Sequence, residues 1–217
     1  MSDIPVLINS PEASPHSTLI LAHGAGAGME HAFIEDAAKR IAANGMKVIR
    51  FEFPYMQRRR DEGKKFPPNR MPVLLEAFEA VIKQVPIEGK LLIGGKSMGG
   101  RVASLIAAEH AKTLGIEGLI VLGYPFFAAR KERIAQNNRG AHLANIELPT
   151  LIVQGDRDTF GGEVEVKQLP LSPTVKTVFV ADGDHSFKPR VKSGFTLDQN
   201  MATMAEAITK FQQECVL

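Results

Sequence analysis

The 217-residue chain has 44% hydrophobic and 23% charged residues, the composition of a folded globular protein, which excludes disorder for most of its length. This length fits a single domain over residues 1–217, because separate cores are usual only beyond about 250 residues. The formal charge of +2 is too small to predict binding to nucleic acid.

The sequence gives no indication of a disulfide, a metal site or a membrane segment. Cys215 is the single cysteine, no Cys/His cluster has metal-ligand spacing, and no apolar run approaches the ~18 residues of a membrane span. We therefore expect a soluble cytoplasmic protein that has no cofactor and no membrane or nucleic-acid partner. The composition leaves the oligomeric state open.

Short apolar runs alternate with helical patterns along the chain. The runs are continuous in hydrophobicity, as parallel strands covered on both faces require, and predict strands at residues 18–22, 48–53, 90–93, 119–122, 150–153 and 177–180. Helices are predicted at residues 31–43, 71–83, 98–113 and 197–213. This alternation predicts an α/β class, a three-layer α/β/α sandwich with a mainly parallel sheet.

Three further segments are less regular. Residues 5–8 are either an antiparallel edge strand or no strand, since prolines flank them. Residues 54–70 and 124–148 show no clear period, and loops of such length often border a site. We interpret 124–148 as a small cap over the carboxyl edge of the sheet.

A G-x-S-x-G pattern, from Gly95 to Gly99, lies between a predicted strand and a predicted helix. In so tight a turn the central Ser97 takes strained dihedrals, and the residues two positions away must be small. The start of the helix directs the Met98 N–H toward any oxyanion formed beside the serine. The pattern predicts a nucleophilic serine, and its alternative is a glycine turn that only packs the helix against the sheet.

A nucleophilic serine needs a base, and position selects one histidine. His185 follows the last predicted strand, at the same carboxyl edge as Ser97. Histidines in helices or connecting segments are more often packed or solvated, and this group contains His16, His31, His110 and His142. We therefore predict His185 as the base.

The carboxylate that orients the histidine is expected after the preceding strand, where Asp156 and Asp158 compete. The chain order Ser, Asp, His fits this placement. We favour Asp158, because Asp156 lies close to the strand end and is a plausible turn former that bonds its own backbone. Asp184, next to the histidine, is expected to brace its loop.

Residues 23–28, His-Gly-Ala-Gly-Ala-Gly, follow the strand at 18–22, where a second oxyanion donor is expected. The Ala25 N–H is the predicted donor, together with that of Met98. The His23 side chain is expected to hold the loop by hydrogen bonds. The alternative is a flexible Gly/Ala turn.

These motifs, HGAGAG, GGKSMGG, QGDRDTFG and DGDHSF in this order, resemble those of the α/β-hydrolase superfamily. The chain is most similar to the small branch that includes dienelactone-hydrolase-like proteins and proteins similar to testis-expressed protein 30, from about Leu19 to the C-terminus. The resemblance implies a compact α/β-hydrolase fold with Ser97, Asp158 and His185 as a triad. Dienelactone hydrolases have a cysteine nucleophile where this chain has Ser97, so a dienelactone is not the expected substrate.

Aromatic and basic residues near the same edge are candidates for substrate binding: Tyr124, Phe126, Phe160, Arg58 and Arg59. The aromatic residues would line a modest acyl pocket, although a role in the core is at least as frequent. The two arginines would select an anionic acyl or phosphate-bearing substrate, but we favour a solvated surface for them.

Together the residues predict a serine hydrolase that cleaves an ester or thioester of a small acyl substrate with water, through an acyl-enzyme. The alternative is a hydrolase-like fold that acts as a non-catalytic binding or scaffold module. Two nucleotide-binding interpretations fail on spacing. Lys90 stands where a P-loop needs its first glycine, and Met29 stands where a dinucleotide fingerprint needs its third.

Overall fold

The structure is a computed structural model that describes residues 4–128 and 138–215. Within these ranges one sheet is formed by strands β1 Val6–Asn9, β2 Ser17–Ala22, β3 Met46–Phe51, β4 Lys90–Lys96, β5 Ile116–Leu122, β6 Thr150–Gly155 and β7 Val175–Val180. Their spatial order is β1-β3-β2-β4-β5-β6-β7. The strands are parallel except β1, which pairs antiparallel with β3.

Helices cover both faces of the sheet. They are α1 Ala32–Ala43, α2 Pro54–Glu62, α3 Met71–Gln84, α4 Met98–Leu114, α5 Glu163–Val166 and α6 Leu197–Cys215, with short 3-10 helices at Ala141–Ala144 and Val191–Ser193. One core cluster packs α3 and α4 against the sheet, and a second packs α1 and α6 against the opposite face. The predicted three-layer α/β fold is confirmed.

Burial explains why the strands were recognisable. Every residue of β2 and β3 is buried, because helices lie on both faces of these inner strands. The edge strand predicted at 5–8 is present as β1, one residue further along. The two edge strands are less buried, since most residues of β1 and of β7 are partly exposed.

The two segments without a clear period, residues 54–70 and 124–148, differ in structure. Residues 54–62 form helix α2, which begins with Pro54 at its first position and ends at Gly63 in the left-handed conformation. In the predicted cap, residues 129–137 lie outside the described residues. On either side of them Tyr124, Phe126 and Leu143 are fully buried in the cluster beneath α3 and α4. These three side chains therefore belong to the core, and the cap stays a prediction.

Candidate active site

Ser97 occupies a sharp turn between β4 and α4. Its φ of 52° and ψ of −114° are strained for a residue with a side chain. The two glycines that flank it have no room for a Cβ, which would lie 2.5 Å from the Gly99 carbonyl carbon at Gly95 and 2.5 Å from the His23 oxygen at Gly99. The G-x-S-x-G pattern is thus a steric requirement of this turn.

Three side chains meet at the carboxyl edge of the sheet. His185 Nε2 lies 2.8 Å from Ser97 Oγ, and His185 Nδ1 lies 2.7 Å from Asp158 Oδ2. Asp158 is 1% exposed and its other oxygen accepts the N–H of Phe160 at 2.8 Å. The structure therefore brings together all three residues that the sequence placed in a triad, with a carboxylate held on one side of the imidazole and a hydroxyl on the other.

Gln154, for which the sequence analysis had no role, fixes the position of this carboxylate. Its fully buried amide nitrogen lies 2.9 Å from Asp158 Oδ2 and 3.1 Å from the carbonyl oxygen of Tyr124, and its Oε1 accepts the Tyr124 N–H at 2.7 Å. Gln154 thereby ties the loop after β5 to the loop that carries Asp158.

The competing aspartates brace the neighbouring turns. Asp156 Oδ2 accepts the N–H of Asp182 at 2.8 Å, so it joins two loops instead of bonding its own turn as expected. Asp184 Oδ1 accepts the N–H groups of Ser186 and Lys188, which confirms that it braces the His185 loop.

The glycine-rich loop after β2 lies beside the serine. A Cβ built on Gly24 would be 3.8 Å from Ser97 Cβ. Among the described residues, no protein group accepts the backbone N–H of Ala25 or of Met98, the first residue of α4. The Tyr55 hydroxyl holds the loop by donating to the carbonyl oxygens of Gly24 and Ala25, at 3.3 and 3.0 Å.

His23 anchors the same loop from below. Its Nε2 accepts the N–H of Phe53 at 3.1 Å, so the proton resides on Nδ1, which donates to the Gly24 carbonyl at 2.7 Å. Burial lowers the pKa of His23 to about 4, which keeps the ring neutral at physiological pH. The predicted structural role of His23 in the loop is confirmed.

Lys96, the residue between Gly95 and Ser97, is a second side chain that sequence reasoning missed. It is 9% exposed, and its Nζ donates to the backbone carbonyl of His185 at 2.5 Å. Burial lowers the pKa of the ammonium to about 8, although Asp158 and Asp184 act in the opposite direction. The group is therefore mostly charged at pH 7.

A cavity of about 440 Å³ opens onto Ser97 and His185. It is lined by the glycine-rich loop at 23–28, by the first turn of α1 with Phe33, and by Lys96, Phe160 and Ser186. The Phe160 ring lies 4.5 Å from the His185 ring, centroid to centroid. Of the predicted pocket residues, only Phe160 belongs to this lining.

The other four predicted pocket residues do not line this cavity, so the sequence-based assignment was wrong for them. Tyr124 and Phe126 are fully buried against each other in the core. Arg58 lies over the ring of Phe66, and Arg59 donates to the Phe66 carbonyl. Both arginines therefore contact Phe66 and stabilise the segment that follows α2.

Within residues 4–128 and 138–215, no group of His, Cys, Asp and Glu side chains is arranged to hold a metal ion. No helix in the same ranges is long and apolar enough to cross a membrane.

Comparison with known proteins shows which family the chain belongs to. The family model described as an alpha/beta hydrolase domain matches residues 15–213. No curated protein matches the sequence significantly. Est1E from Butyrivibrio proteoclasticus with bound ferulic acid is similar in structure, with a TM-score of 0.69 and 17% identity over 98% of this chain and 95% of that chain.

Two more solved structures are similar. An alpha-beta serine hydrolase homologue from Coxiella burnetii has a TM-score of 0.69 and 20% identity, over 94% of this chain and 89% of that chain. A dienelactone hydrolase from Anabaena variabilis has a TM-score of 0.67 and 15% identity, over 98% of this chain and 92% of that chain. At such identities these structures show a shared fold.

Proposed function

Because the chain belongs to the alpha/beta hydrolase domain family, we propose that it is a serine hydrolase that cleaves an ester or thioester of a small acyl substrate. The observation that carries this proposal is the pair of contacts that join Ser97 to His185 and His185 to Asp158, at 2.8 and 2.7 Å. Both distances lie within the range required for proton transfer to a base that a third group orients.

The first half of the reaction forms an acyl-enzyme. Ser97 Oγ attacks the carbonyl carbon while its proton passes to His185 Nε2, and Asp158 holds the proton on Nδ1 and stabilises the resulting imidazolium. The N–H groups of Met98 and Ala25 donate to the oxyanion. The bond between the carbonyl carbon and the leaving oxygen or sulfur then breaks as the imidazolium protonates that atom, so that an alcohol or a thiol leaves.

The second half releases the acyl group. Water attacks the acyl-enzyme as His185 takes one of its protons, and the tetrahedral intermediate collapses to the free acid and Ser97. The strained turn and the glycine-rich loop hold both oxyanion donors in place before the substrate arrives, so these donors need little reorganisation during the reaction.

The cavity indicates a small acyl group. Its volume of about 440 Å³ lies in the lower part of the range of small-molecule sites. Phe160 and Phe33 provide apolar walls. An aromatic acyl ester of the feruloyl type belongs in a substrate panel, since the structurally similar Est1E binds ferulic acid.

Three finer expectations remain predictions. They are the similarity to testis-expressed protein 30, the choice between ester and thioester, and a cytoplasmic location. The choice between ester and thioester requires a substrate panel that contains both acyl esters and acyl thioesters, of graded length and charge.

Labelling by a fluorophosphonate probe tests the proposal directly, because the probe reacts covalently with an activated serine. The wild-type protein should label, whereas Ser97→Ala and His185→Ala should not. His110→Ala is a matched control, since this imidazole lies on the exposed surface of α4 and should leave labelling unchanged. A wild-type protein that neither labels nor hydrolyses any ester or thioester of the panel would favour a binding or scaffold module.

A further inference from the structure

Lys96 is a buried cation beside the nucleophile. The residue is 9% exposed, and no carboxylate of the described residues lies within ion-pair distance of its Nζ, whose hydrogen bond is to a backbone carbonyl. An ammonium in such a place is unfavourable for folding, because it loses hydration without gaining a carboxylate partner. Its presence therefore calls for a reason other than stability.

The hydrogen bond of Lys96 suggests that reason. Its Nζ lies 2.5 Å from the carbonyl oxygen of His185, whose imidazole bridges Ser97 and Asp158. Lys96 directly precedes Ser97 in the chain. One side chain thus connects the strand that carries the serine to the loop that carries the histidine.

The end of β5 leaves space for this connection. Gly123 has a φ of 67°, and a Cβ on it would lie 2.7 Å from Lys96 Nζ and 3.4 Å from His185 Nδ1. These two distances place the two nitrogens within about 6 Å of each other. The absence of a side chain at Gly123 lets the ammonium reach the histidine.

We propose that Lys96 is a positioning residue of the reaction, which holds the His185 backbone so that the imidazole contacts both Ser97 and Asp158. This inference rests on the proposed function and deepens it.

Lys96→Met tests the inference, because methionine keeps an unbranched chain but has no charge and no donor. The rate of fluorophosphonate labelling and the kcat for a neutral p-nitrophenyl acyl ester should fall roughly 10- to 100-fold, as expected for a displaced base. KM should change by less than about twofold.

Two further variants make the result specific. Lys112→Met, at a side chain that is 95% exposed, should leave the labelling rate, kcat and KM unchanged. Lys96→Gln removes the charge but keeps a donor for the His185 carbonyl, so it should retain more of kcat than Lys96→Met does, and it serves as the second variant if Lys96→Met folds poorly.

A wild-type kcat and a wild-type labelling rate in Lys96→Met would overturn the inference. A rise in KM confined to an anionic ester, with kcat unchanged, would overturn it as well, by making Lys96 a counter-ion for substrate. In either case labelling of the wild-type protein still supports the proposed function. If the wild-type protein does not label at all, the proposed function itself fails.

Discussion

Replacing Lys96 by methionine is expected to stabilise the folded protein at pH 7 while it slows the reaction. Burial lowers the pKa of the ammonium from 10.5 to about 8. At about 1.4 kcal/mol for each pKa unit, folding with a charged Lys96 costs about 3 kcal/mol. Loss of the hydrogen bond to the His185 carbonyl removes about 1 kcal/mol. The net gain is about 2 kcal/mol in the free energy of unfolding.

The dependence on pH has a definite sign. Between about pH 8 and 10.5 the unfolded chain holds its proton on Lys96 and the folded chain loses it, so the stability of the wild-type protein rises with pH in this window. Lys96→Met lacks this rise. The advantage of the variant should therefore be about 2 kcal/mol smaller at pH 9.5 than at pH 7.

Urea unfolding of the wild type, Lys96→Met and Lys112→Met at both pH values measures this difference. In thermal unfolding at pH 7 we expect the Tm of Lys96→Met to lie about 4–8 °C above that of the wild type. The surface variant Lys112→Met should stay within about 0.5 kcal/mol of the wild type. If Lys96→Met is less stable at pH 7, or if its effect is the same at both pH values, Lys96 is not the buried cation that we describe.

Three other predictions concern the proposed catalytic carboxylate, the turn that carries Ser97 and the stability of the fold at acid pH. Asp158→Asn should lower kcat by about 10⁴ in ester hydrolysis, and Asp156→Asn far less, because only Asp158 contacts the histidine. Gly99→Ala should lower Tm and abolish fluorophosphonate labelling, since its Cβ would lie 2.5 Å from a backbone oxygen. Hydrogen bonds from Arg190 lower the pKa of Asp182 to about 2. This pair therefore stabilises the fold above about pH 4 and loses its effect as the pH falls toward 2, so Arg190→Gln should weaken the pH dependence of unfolding in that range.

Each of these predictions has an outcome that contradicts it. Equal losses in the two Asp→Asn variants would leave the choice between the aspartates unsupported. A Gly99→Ala protein that labels and melts like the wild type would mean that the turn tolerates a side chain. An unchanged acid transition in Arg190→Gln would mean that Asp182 does not depend on that arginine.

Most of the sheet could be predicted because its strands are buried on both faces. An inner strand such as β3 must be apolar along its whole length, and this leaves a clear pattern in the sequence. Helix α2 leaves no such pattern. Only Tyr55 and Met56 of its nine residues are buried, so its charged sequence lacks a helical apolar face. Its signals are Pro54 at the start and Gly63 at the end, which mark boundaries without showing what lies between them.

The residues of the candidate site also fall into those that the sequence predicted and those that it did not. The motif around Ser97 is recognisable because backbone contacts exclude side chains at fixed positions. Lys96 and Gln154 stand at positions where the motifs accept many residues, and their partners come from loops that are distant in sequence. Tyr124 and Phe126 show the converse, since an aromatic residue after a strand can turn toward the core as readily as toward a cavity.

The turn that carries Ser97 and the start of the glycine-rich loop are in contact through main-chain atoms, because Gly99 packs directly against the backbone oxygens of Ala22 and His23. The spacing between the two segments is therefore independent of side-chain size. Replacements at the cavity wall, such as Phe33 or Phe160, can widen it or change its polarity without moving the reacting centre. For the proposed hydrolase, substitutions at Phe33 or Phe160 are therefore expected to change the acyl preference while Ser97 keeps its place.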